Sequence, residues 1–426
     1  MKKASLATVF LVVLVDLIGF GIVLPLLPFY AGEFNASPIA IGLLYSIYSI
    51  AQLIFSPIWG SLSDRIGRRP IMLFSTFGAV IAYIIFGFAG TLTVLFASRL
   101  IAGVMGGNIS TAQAYIADAT TPENRARGMG LIGAAFGIGF VMGPAIASGL
   151  IHPEFQAFFA NMGFTSFAHW MDVNRFGLPG FFAAFLSFSS FLLVYFKLPE
   201  TVDKTKQKPA TTMARPTVFT TTFWRNISKQ KQATGSGILY LLLFAAFLLS
   251  FGQASLYSAF PLFCEAVLDM SPEQVGIQFF YIGLIAVVVQ GGLIKPLTRW
   301  FSEEKLFLTG NILMTAGLAA IALAGTISML TFFLGVMALG HSLNLPTMSS
   351  LLSQEADPKS VGAMMGTAQG LSGLGRAIGP TWGGFLFSVS FGLPFIATAI
   401  VMLATVYVGV RLVSKHAQPR KKAVQS

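Results

Sequence analysis

Long apolar runs alternate with short polar breaks along almost the entire chain. Each run is close to the roughly 20 residues that a helix needs to cross a bilayer core of about 30 Å. Lipid offers the backbone no hydrogen-bond partner outside a helix or a closed barrel. The pattern therefore predicts an all-α membrane protein with twelve transmembrane helices, near residues 6–31, 39–62, 70–90, 92–117, 128–151, 178–198, 236–264, 273–296, 304–325, 328–353, 361–387 and 391–413.

The composition agrees with this pattern. The 426 residues are 55% hydrophobic and only 10% charged, which is too apolar for a soluble domain of this length. The first run continues past Asp16 to Pro28 without an A-x-A site, so we expect it to be retained as a span and not cleaved as a signal peptide. The single cysteine, Cys264, excludes an internal disulfide and a cysteine metal site. No cofactor and no metal site are expected.

Positive charge is concentrated on one side of the predicted bundle. Of the 27 Lys and Arg residues, Arg99 and Arg376 lie within spans and Arg175 lies in an opposite loop, which leaves 24 on the side of the termini. Cytoplasmic loops retain such residues. We therefore expect a bacterial cell (inner) membrane protein with both termini in the cytoplasm. Topology and anionic lipid headgroups explain the net charge of +11, so no nucleic-acid partner is implied.

The longest polar segment divides the spans into two sets of six. Residues 199–235 are rich in Lys, Thr and Gln, so we predict an N-terminal bundle over 1–198, a basic cytoplasmic linker over 199–235 and a C-terminal bundle over 236–426. An internal repeat supports this division, because related motifs recur at offsets of 234 to 236 residues. Two pseudo-symmetric six-helix bundles are expected, as in transporters that move two repeats around a central site. The matching motifs are Ser37-Pro38 with Ser271-Pro272, Gly42 with Gly276, and Gly143-Pro144 with Gly379-Pro380.

One loop opposite the termini is unusually long and aromatic. Residues 152–177 carry six phenylalanines and Trp170 among polar residues, which suits a segment lying flat at the membrane interface. We predict a packing role for it; the alternative is a functional lid.

The segment Gly60-Ser-Leu-Ser-Asp64-Arg65-Ile-Gly67-Arg68-Arg69 joins the second and third apolar runs. Its form resembles the loop between the second and third helices of the major facilitator superfamily, especially of its drug/proton antiporters. Gly60 allows neighbouring helices to approach closely, Gly67 permits a sharp turn, and Asp64 can accept bonds from Arg68. Together with Arg65 these residues predict a gating latch on the side of the termini.

Charged residues after the fourth span lie on the same predicted membrane side as this segment. Asp118 and Arg125 are the members that we expect to complete the charge cluster. Such a cluster can form in one conformation and break in another. The alternative is that these charges only set the topology.

The fifth predicted span has a glycine at about every fourth position. The run from Gly133 to Gly143-Pro144 includes Gly139, and this spacing allows tight helix packing followed by a proline kink. It resembles the fifth-helix signature of the antiporter subgroup, which separates exporters from uptake members. Gly379 and Pro380 are the corresponding packing residues in the second half.

Charged side chains within spans are functional candidates, because each costs several kcal/mol in lipid unless it is paired or hydrated. Asp16 is the acid near the middle of the first span and is our candidate proton carrier. Arg99 begins a run that resembles the fourth-helix motif of the family, and we expect it to tune proton uptake with Asp16 as candidate partner. A structural ion pair is the alternative. Arg376 either binds an anionic substrate group or counters a helix C-terminus.

Polar side chains elsewhere in the spans can face a central cavity. His341 could titrate near neutral pH, although a neutral, hydrogen-bonded histidine is the alternative. The candidate substrate-binding residues are Asn108, Gln113, Gln253, His341, Asn344, Gln369 and Arg376, with Tyr45, Tyr48, Phe260 and Tyr281 as candidate apolar lining.

The first half most resembles the tetracycline/proton antiporter branch, from Asp16 through Pro144. Tetracycline exporters carry acids in their third and ninth helices, whereas this chain has Ala82 in the third span and no acid in the ninth after Glu304 at its first residue. The resemblance therefore implies a proton-coupled exporter of an amphipathic small molecule, working as a monomer, and leaves recognition of a metal–tetracycline chelate in doubt. The alternatives are proton-coupled uptake or exchange of an organic anion, and a non-transporting receptor on the same fold. An intramembrane enzyme is not expected, because no nucleophile motif accompanies His341.

Overall fold

The computed structural model describes residues 6–202, 220–221, 223–225, 237–356 and 361–417. Helices make up all the regular structure in these ranges, and no strand occurs there. The helices of the first half are α1 (Leu6–Gly32), α2 (Pro38–Ile66), α3 (Arg68–Gly87), α4 (Leu92–Met105), α5 (Asn108–Ala119), α6 (Pro122–Ile151), α7 (Pro153–Asn161), α8 (Thr165–Val173) and α9 (Leu178–Lys197).

The second half repeats this helical plan after residue 237. Its helices are α10 (Ile238–Leu268), α11 (Pro272–Val288), a π-helical segment (Val289–Leu293), α12 (Ile294–Trp300), α13 (Glu303–Ile321), α14 (Ile327–Glu355), α15 (Val361–Val389) and α16 (Leu393–Ala417). Most of the predicted linker 199–235 lies outside the described residues, so the predicted domain boundaries stay a prediction.

Ten helical segments of the described chain are long and apolar enough to cross a membrane. They include α4 with α5 as one segment, and α11 through α12 as another. The helices α13 and α15 are not among them, although α13 packs between α14 and α16, and α15 packs between α10 and α2 of the first half. The predicted multi-pass, all-helical architecture is confirmed, whereas the number of twelve spans stays a prediction.

The fourth predicted span is broken near its middle, where we expected one continuous helix. Helix α4 ends at Met105 and α5 begins at Asn108, with two glycines between them. Side chains of α2 bind the carbonyl groups of the break: Trp59 Nε1 donates to the Val104 carbonyl at 2.6 Å, and Gln52 Nε2 donates to the Gly106 carbonyl at 3.0 Å. Irregular backbone at membrane depth needs such partners.

The matching motifs of the internal repeat meet each other across the two halves. Helix α2 packs on α15, and a Cβ at Gly42 would lie 3.0 Å from the carbonyl carbon of Pro380. Helix α6 packs on α11 in the equivalent way, where a Cβ at Gly276 would lie 3.4 Å from the carbonyl oxygen of Pro144. Each glycine of one half thus packs against the Gly-Pro segment of the other half.

These two contacts lie toward one side of the bundle. We call the side on which α1 begins the terminal side and the opposite side the far side. Near the far side, Ser46 and Thr381 hydroxyls are 2.8 Å apart across the α2–α15 contact. Toward the terminal side, a Cβ at Gly133 on α6 or at Gly366 on α15 would meet nothing within 4 Å. These glycines, unlike Gly42 and Gly276, make no contact with the opposite half.

The aromatic loop on the far side forms two short helices, α7 and α8. Phe158, Phe164 and Trp170 are exposed by 56%, 56% and 39%, so much of their ring surface is free of protein contact. This geometry fits the predicted segment at the membrane interface.

Candidate functional site

Asp16 lies on α1 and faces the broken helix pair α4–α5. The Asn108 Nδ2 donates a hydrogen bond to Asp16 Oδ2, and the second oxygen, Oδ1, is buried without a hydrogen-bond partner. The glycine break places Asn108 at the start of α5, which turns its amide toward α1. Asn108 thus lies in the predicted polar site, as the partner of Asp16.

A small cavity of about 40 Å³ adjoins this pair. Phe20, Tyr48 and Tyr83 are among its lining residues, together with Asp16 and Asn108. A volume of this size has room for roughly two or three water molecules. The carboxyl group therefore has a polar, hydratable space beside it inside an otherwise apolar bundle.

Arg99 is 3% exposed and forms no salt bridge within the described residues. Its guanidinium carbon lies 4.8 Å from the centroid of the Phe86 ring and 5.9 Å from that of Tyr83, and its Nη2 has no hydrogen-bond partner. No hydrogen bond or ion pair joins it to Asp16. Cation–π contacts and the tyrosine hydroxyls around it hold this buried charge.

A row of aromatic rings crosses from the first half to the second near the middle of the bundle. The ring centroids of Tyr48 and Phe20 are 5.1 Å apart, those of Phe20 and Phe140 6.0 Å, those of Phe140 and Tyr257 6.2 Å, and those of Tyr257 and Phe279 6.0 Å. Arg376 lies within electrostatic range of the Tyr48 and Tyr257 hydroxyls, both of which belong to this row. The row forms an apolar wall with a cation beside it.

The other predicted binding residues are divided between this region and the core. Gln253 Nε2 donates to the Tyr257 hydroxyl at 2.6 Å, so it lies beside the aromatic row. Asn344 is 1% exposed, and its Nδ2 donates to Asn311 Oδ1 at 3.4 Å between α13 and α14. His341 is half-buried with its Nδ1 unpaired, Gln113 is half-buried and Gln369 is exposed.

The predicted latch is centred on Arg68, which is 6% exposed. Its guanidinium forms ion pairs with Asp64 and, at 2.9 Å, with Asp118, and it donates to Ser63 Oγ at 2.7 Å. Gly67 has φ = 115°, a backbone conformation that favours glycine, so the sharp turn between α2 and α3 depends on it. The structure thus joins Asp118 to the 60–69 segment, as the sequence predicts. The side chain of Arg125 lies outside the described residues.

Glu200, the second residue of the predicted linker, is a member of this latch that sequence reasoning missed. Its Oε1 accepts from the Arg68 backbone N–H at 2.9 Å and its Oε2 from the Arg69 N–H at 3.1 Å, at the start of α3. A carboxylate at a helix N-terminus satisfies free N–H groups and complements the helix dipole. An acid following the sixth span on the basic side was the signal available in the sequence.

A second charged contact, also missed, lies on the far side between the halves. Arg175, just before α9, forms an ion pair with Glu273 at the start of α11. Ser148 Oγ on α6 donates to the Glu273 carbonyl at 3.2 Å. The sequence distinguishes Arg175 only as a basic loop residue that is predicted on the membrane side opposite the termini.

The sequence model of the Major Facilitator Superfamily matches residues 9–302 and 293–426. The chain therefore belongs to the major facilitator superfamily, as the 60–69 and 133–144 motifs led us to expect.

Similarity to individual proteins extends over nearly the whole chain. It is 28% identical to tetracycline resistance protein, class C, of Escherichia coli, over 89% of this chain and 92% of that protein. It is 26% identical to multidrug resistance protein 2 of Bacillus subtilis, over 95% of each. The crystal structure of the human organic anion transporter MFSD10 (TETRAN) has a similar fold, with a TM-score of 0.67, 24% identity, and coverage of 95% of this chain and 98% of that one. The expected likeness to the drug-efflux branch is confirmed.

Proposed function

We propose that this transporter exports an amphipathic small molecule in exchange for protons, by alternating access. One observation carries the proposal: Asp16, the acid of the first span, lies at a hydratable cavity next to the aromatic row and accepts a hydrogen bond from the Asn108 amide. The similarity to tetracycline and multidrug resistance proteins supports export as the direction. No enzymatic activity is proposed.

The Asp16–Asn108 pair is suited to a group that gains and loses a proton. The Asn108 amide can donate to an ionised carboxylate through Nδ2 and can accept from a protonated carboxyl through its oxygen. Both protonation states therefore retain a partner, and the adjoining cavity offers water to the free Oδ1. Protonation removes one negative charge from the bundle interior, where Arg99 has no acidic partner in the described residues.

The aromatic row is the surface on which we place the substrate. Flat rings stack favourably at separations of about 4.5–7 Å, and the rings of Phe20, Phe140, Tyr257 and Phe279 belong to four helices, two in each half. A substrate seated there would contact both halves, and we propose that it is reached from the terminal side, where Gly133 and Gly366 have open space beside them. With termini in the cytoplasm, as the charge count predicts, this is a state that loads substrate from the cytoplasm.

Two latches on opposite sides are suited to control access. The Arg175–Glu273 pair joins the halves on the far side, where the bundle is closed. The Arg68 cluster lies on the terminal side, where Gly133 and Gly366 have open space beside them. Opening toward the far side requires the Arg175–Glu273 pair to break, and we propose that the Arg68 cluster then forms part of the terminal-side closure.

The test measures lumenal pH in everted vesicles, without an imposed pH gradient, as amphiphiles are added outside. Exchange predicts that the lumen becomes alkaline as protons leave against incoming substrate. Asp16→Asn should abolish this change, because the amide cannot carry the proton, whereas Asp172→Asn, an exposed aspartate on α8, should leave it intact. A normal response in Asp16→Asn would contradict Asp16 as the carrier.

A second candidate, proton-coupled uptake of an organic anion, is favoured by Arg376. This residue is half-buried beside Tyr48 and Tyr257 and forms no ion pair in the described chain. An anion bound there attracts a proton on Asp16, so the two would move together. The same vesicle assay separates the two functions by sign, because uptake of an anion with a proton makes the lumen acidic.

We further propose a bacterial inner-membrane location and function as a monomer. Both bundles that alternating access requires are present in one chain. Cell fractionation and mass measurement in detergent test these two expectations.

A further inference from the structure

A second cavity, of about 200 Å³, lies on the far side within the first half. It is bounded by the end of α1, the connection between α3 and α4, and the connection between α8 and α9. Helices of the second half contribute no residue to its lining, so it is separate from the central aromatic row. The lining residues that matter here are Tyr30, Glu33, Phe34, Phe88, Val173 and Phe176.

Aromatic faces and one carboxylate make up the chemistry of this pocket. The Tyr30 ring stacks on Phe176 with centroids 5.9 Å apart and is 5.5 Å from Phe34. Its hydroxyl donates to the Ala89 carbonyl at 2.8 Å, which fixes the ring in place. Rings of this kind attract cations through their π faces, and Glu33 supplies a full negative charge.

The local charge favours a cation. Arg175 is the nearby positive residue; its guanidinium is bound to Glu273 of the second half, and its central carbon lies 5.7 Å from the centroid of the Phe176 ring. Glu33, Arg175 and Glu273 together leave one net negative charge. Burial raises the pKa of Glu33, and the nearby Arg175 lowers it by less, so this carboxylate is partly desolvated and would gain from a bound cation.

The pocket also borders the surface that faces lipid. Phe88 and Val173 are exposed by 70% and 69% although both line the pocket. The Phe88 ring packs edge-on against Phe181, with centroids 4.6 Å apart, and Phe181 lies 5.8 Å from Trp170 of α8. Aromatic residues at the ends of membrane helices lie at headgroup level. A ligand with an apolar tail can therefore place its tail on this surface and its headgroup in the pocket.

We propose that this pocket binds the ammonium headgroup of a zwitterionic phospholipid, phosphatidylethanolamine, from the far-side leaflet. The ammonium group lies against Glu33 and the rings of Tyr30 and Phe34. The phosphate stays at the mouth of the pocket, and the acyl chains follow Phe88 and Val173. This site does not depend on the transported substrate or on proton coupling.

The experiment measures lipid binding to the purified full chain by native mass spectrometry, with phosphatidylethanolamine and phosphatidylglycerol of identical acyl chains. We expect the wild type to retain phosphatidylethanolamine preferentially. Glu33→Gln should weaken this binding about tenfold, because a charged partner is lost while the side-chain shape is kept. Glu154→Gln, an exposed acid on α7 outside the pocket, is the matched control and should bind as the wild type does.

Three outcomes would overturn the proposal. Equal retention of the two lipids by the wild type excludes an ammonium site without reference to any variant, so a poorly folded Glu33→Gln protein cannot hide the answer. Unchanged lipid binding in a folded Glu33→Gln protein would show that the Glu33 carboxylate does not bind the headgroup. Free ethanolamine that displaces the lipid at comparable concentration would assign the pocket to a soluble cation instead. None of these readouts involves transport, so the proposed function can fail independently.

Discussion

Buried polar residues in this transporter are held by partners from other helices, and the choice of partner decides what each can do. Asp16 is bound to Asn108, and Arg99 lies against aromatic rings. The sequence indicated both charges, because a charge within an apolar run is costly. It could not predict the partner of either charge, since helix rotation and the break before α5 determine which side chains face each other.

Replacing Asn108 by alanine should impair proton coupling. Both oxygens of Asp16 would then lack a protein partner, and leaving a buried charged group unsatisfied is expensive. We expect substrate-driven proton movement in vesicles to fall by tenfold or more. Asn161→Ala, an exposed asparagine at the end of α7, should leave it unchanged. Normal coupling in Asn108→Ala would show that the amide does not support the carrier.

Removing the Glu200 carboxylate should destabilise the start of α3. Glu200→Ala leaves two backbone N–H groups without their acceptor, at a cost of about 1–2 kcal/mol. We expect a lower unfolding temperature, measured with a thiol-reactive dye on Cys264, which is buried until the bundle opens. The exposed Glu154→Ala serves as control. An unchanged unfolding temperature would show that the cap contributes nothing.

At the scale of helices, small residues set how closely the elements pack. Helix α1 crosses α6 where Gly21 meets Gly143, and a Cβ at Gly143 would lie 2.6 Å from the Cα of Gly21. Gly139 belongs to the same helix crossing, since a Cβ at this position would lie 2.7 Å from the Cβ of Leu17. The predicted packing role of the fifth-span glycines thus corresponds to a backbone contact that admits no side chain.

A single methyl group at this crossing should separate the helices. Gly143→Ala should cost about 1–3 kcal/mol and reduce the yield of folded protein, because the clash is with backbone that cannot rotate away. Gly149→Ala on the same helix is the matched control, since its Cβ would meet nothing within 4 Å. We would compare unfolding temperatures of the two variants. Equal values would contradict the close crossing.

At the scale of the whole molecule, the two halves touch along α2–α15 and α6–α11 and are closed on the far side. If alternating access operates, these far-side contacts must open in each cycle. The closed side is stabilised by hydroxyl contacts and by the Arg175–Glu273 pair, all of which water can replace on opening.

A disulfide across the halves should stop transport reversibly. In a Cys264→Ala background, Ser46→Cys with Thr381→Cys replaces hydroxyls that are 2.8 Å apart on opposite halves. Ser255→Cys with Thr398→Cys replaces hydroxyls 3.1 Å apart within the second half and is the matched control. Oxidation should inhibit only the first pair, and reduction should restore transport. Full activity of a cross-linked first pair would exclude far-side opening at this contact.

The sequence by itself determined the helical, multi-pass class, the family, the repeat and the candidates Asp16, Arg68 and Asp118. These features depend on local properties of the sequence: the length of apolar runs, the cost of charge in lipid, and short motifs at turns. Only the tertiary structure decided that Gly42 packs on Pro380 and Gly276 on Pro144, that Asn108 binds Asp16, and that Arg175 and Glu200 join distant segments. Such contacts depend on how whole helices rotate and cross, and lipid-exposed and buried faces of an almost uniformly apolar helix look alike in the sequence.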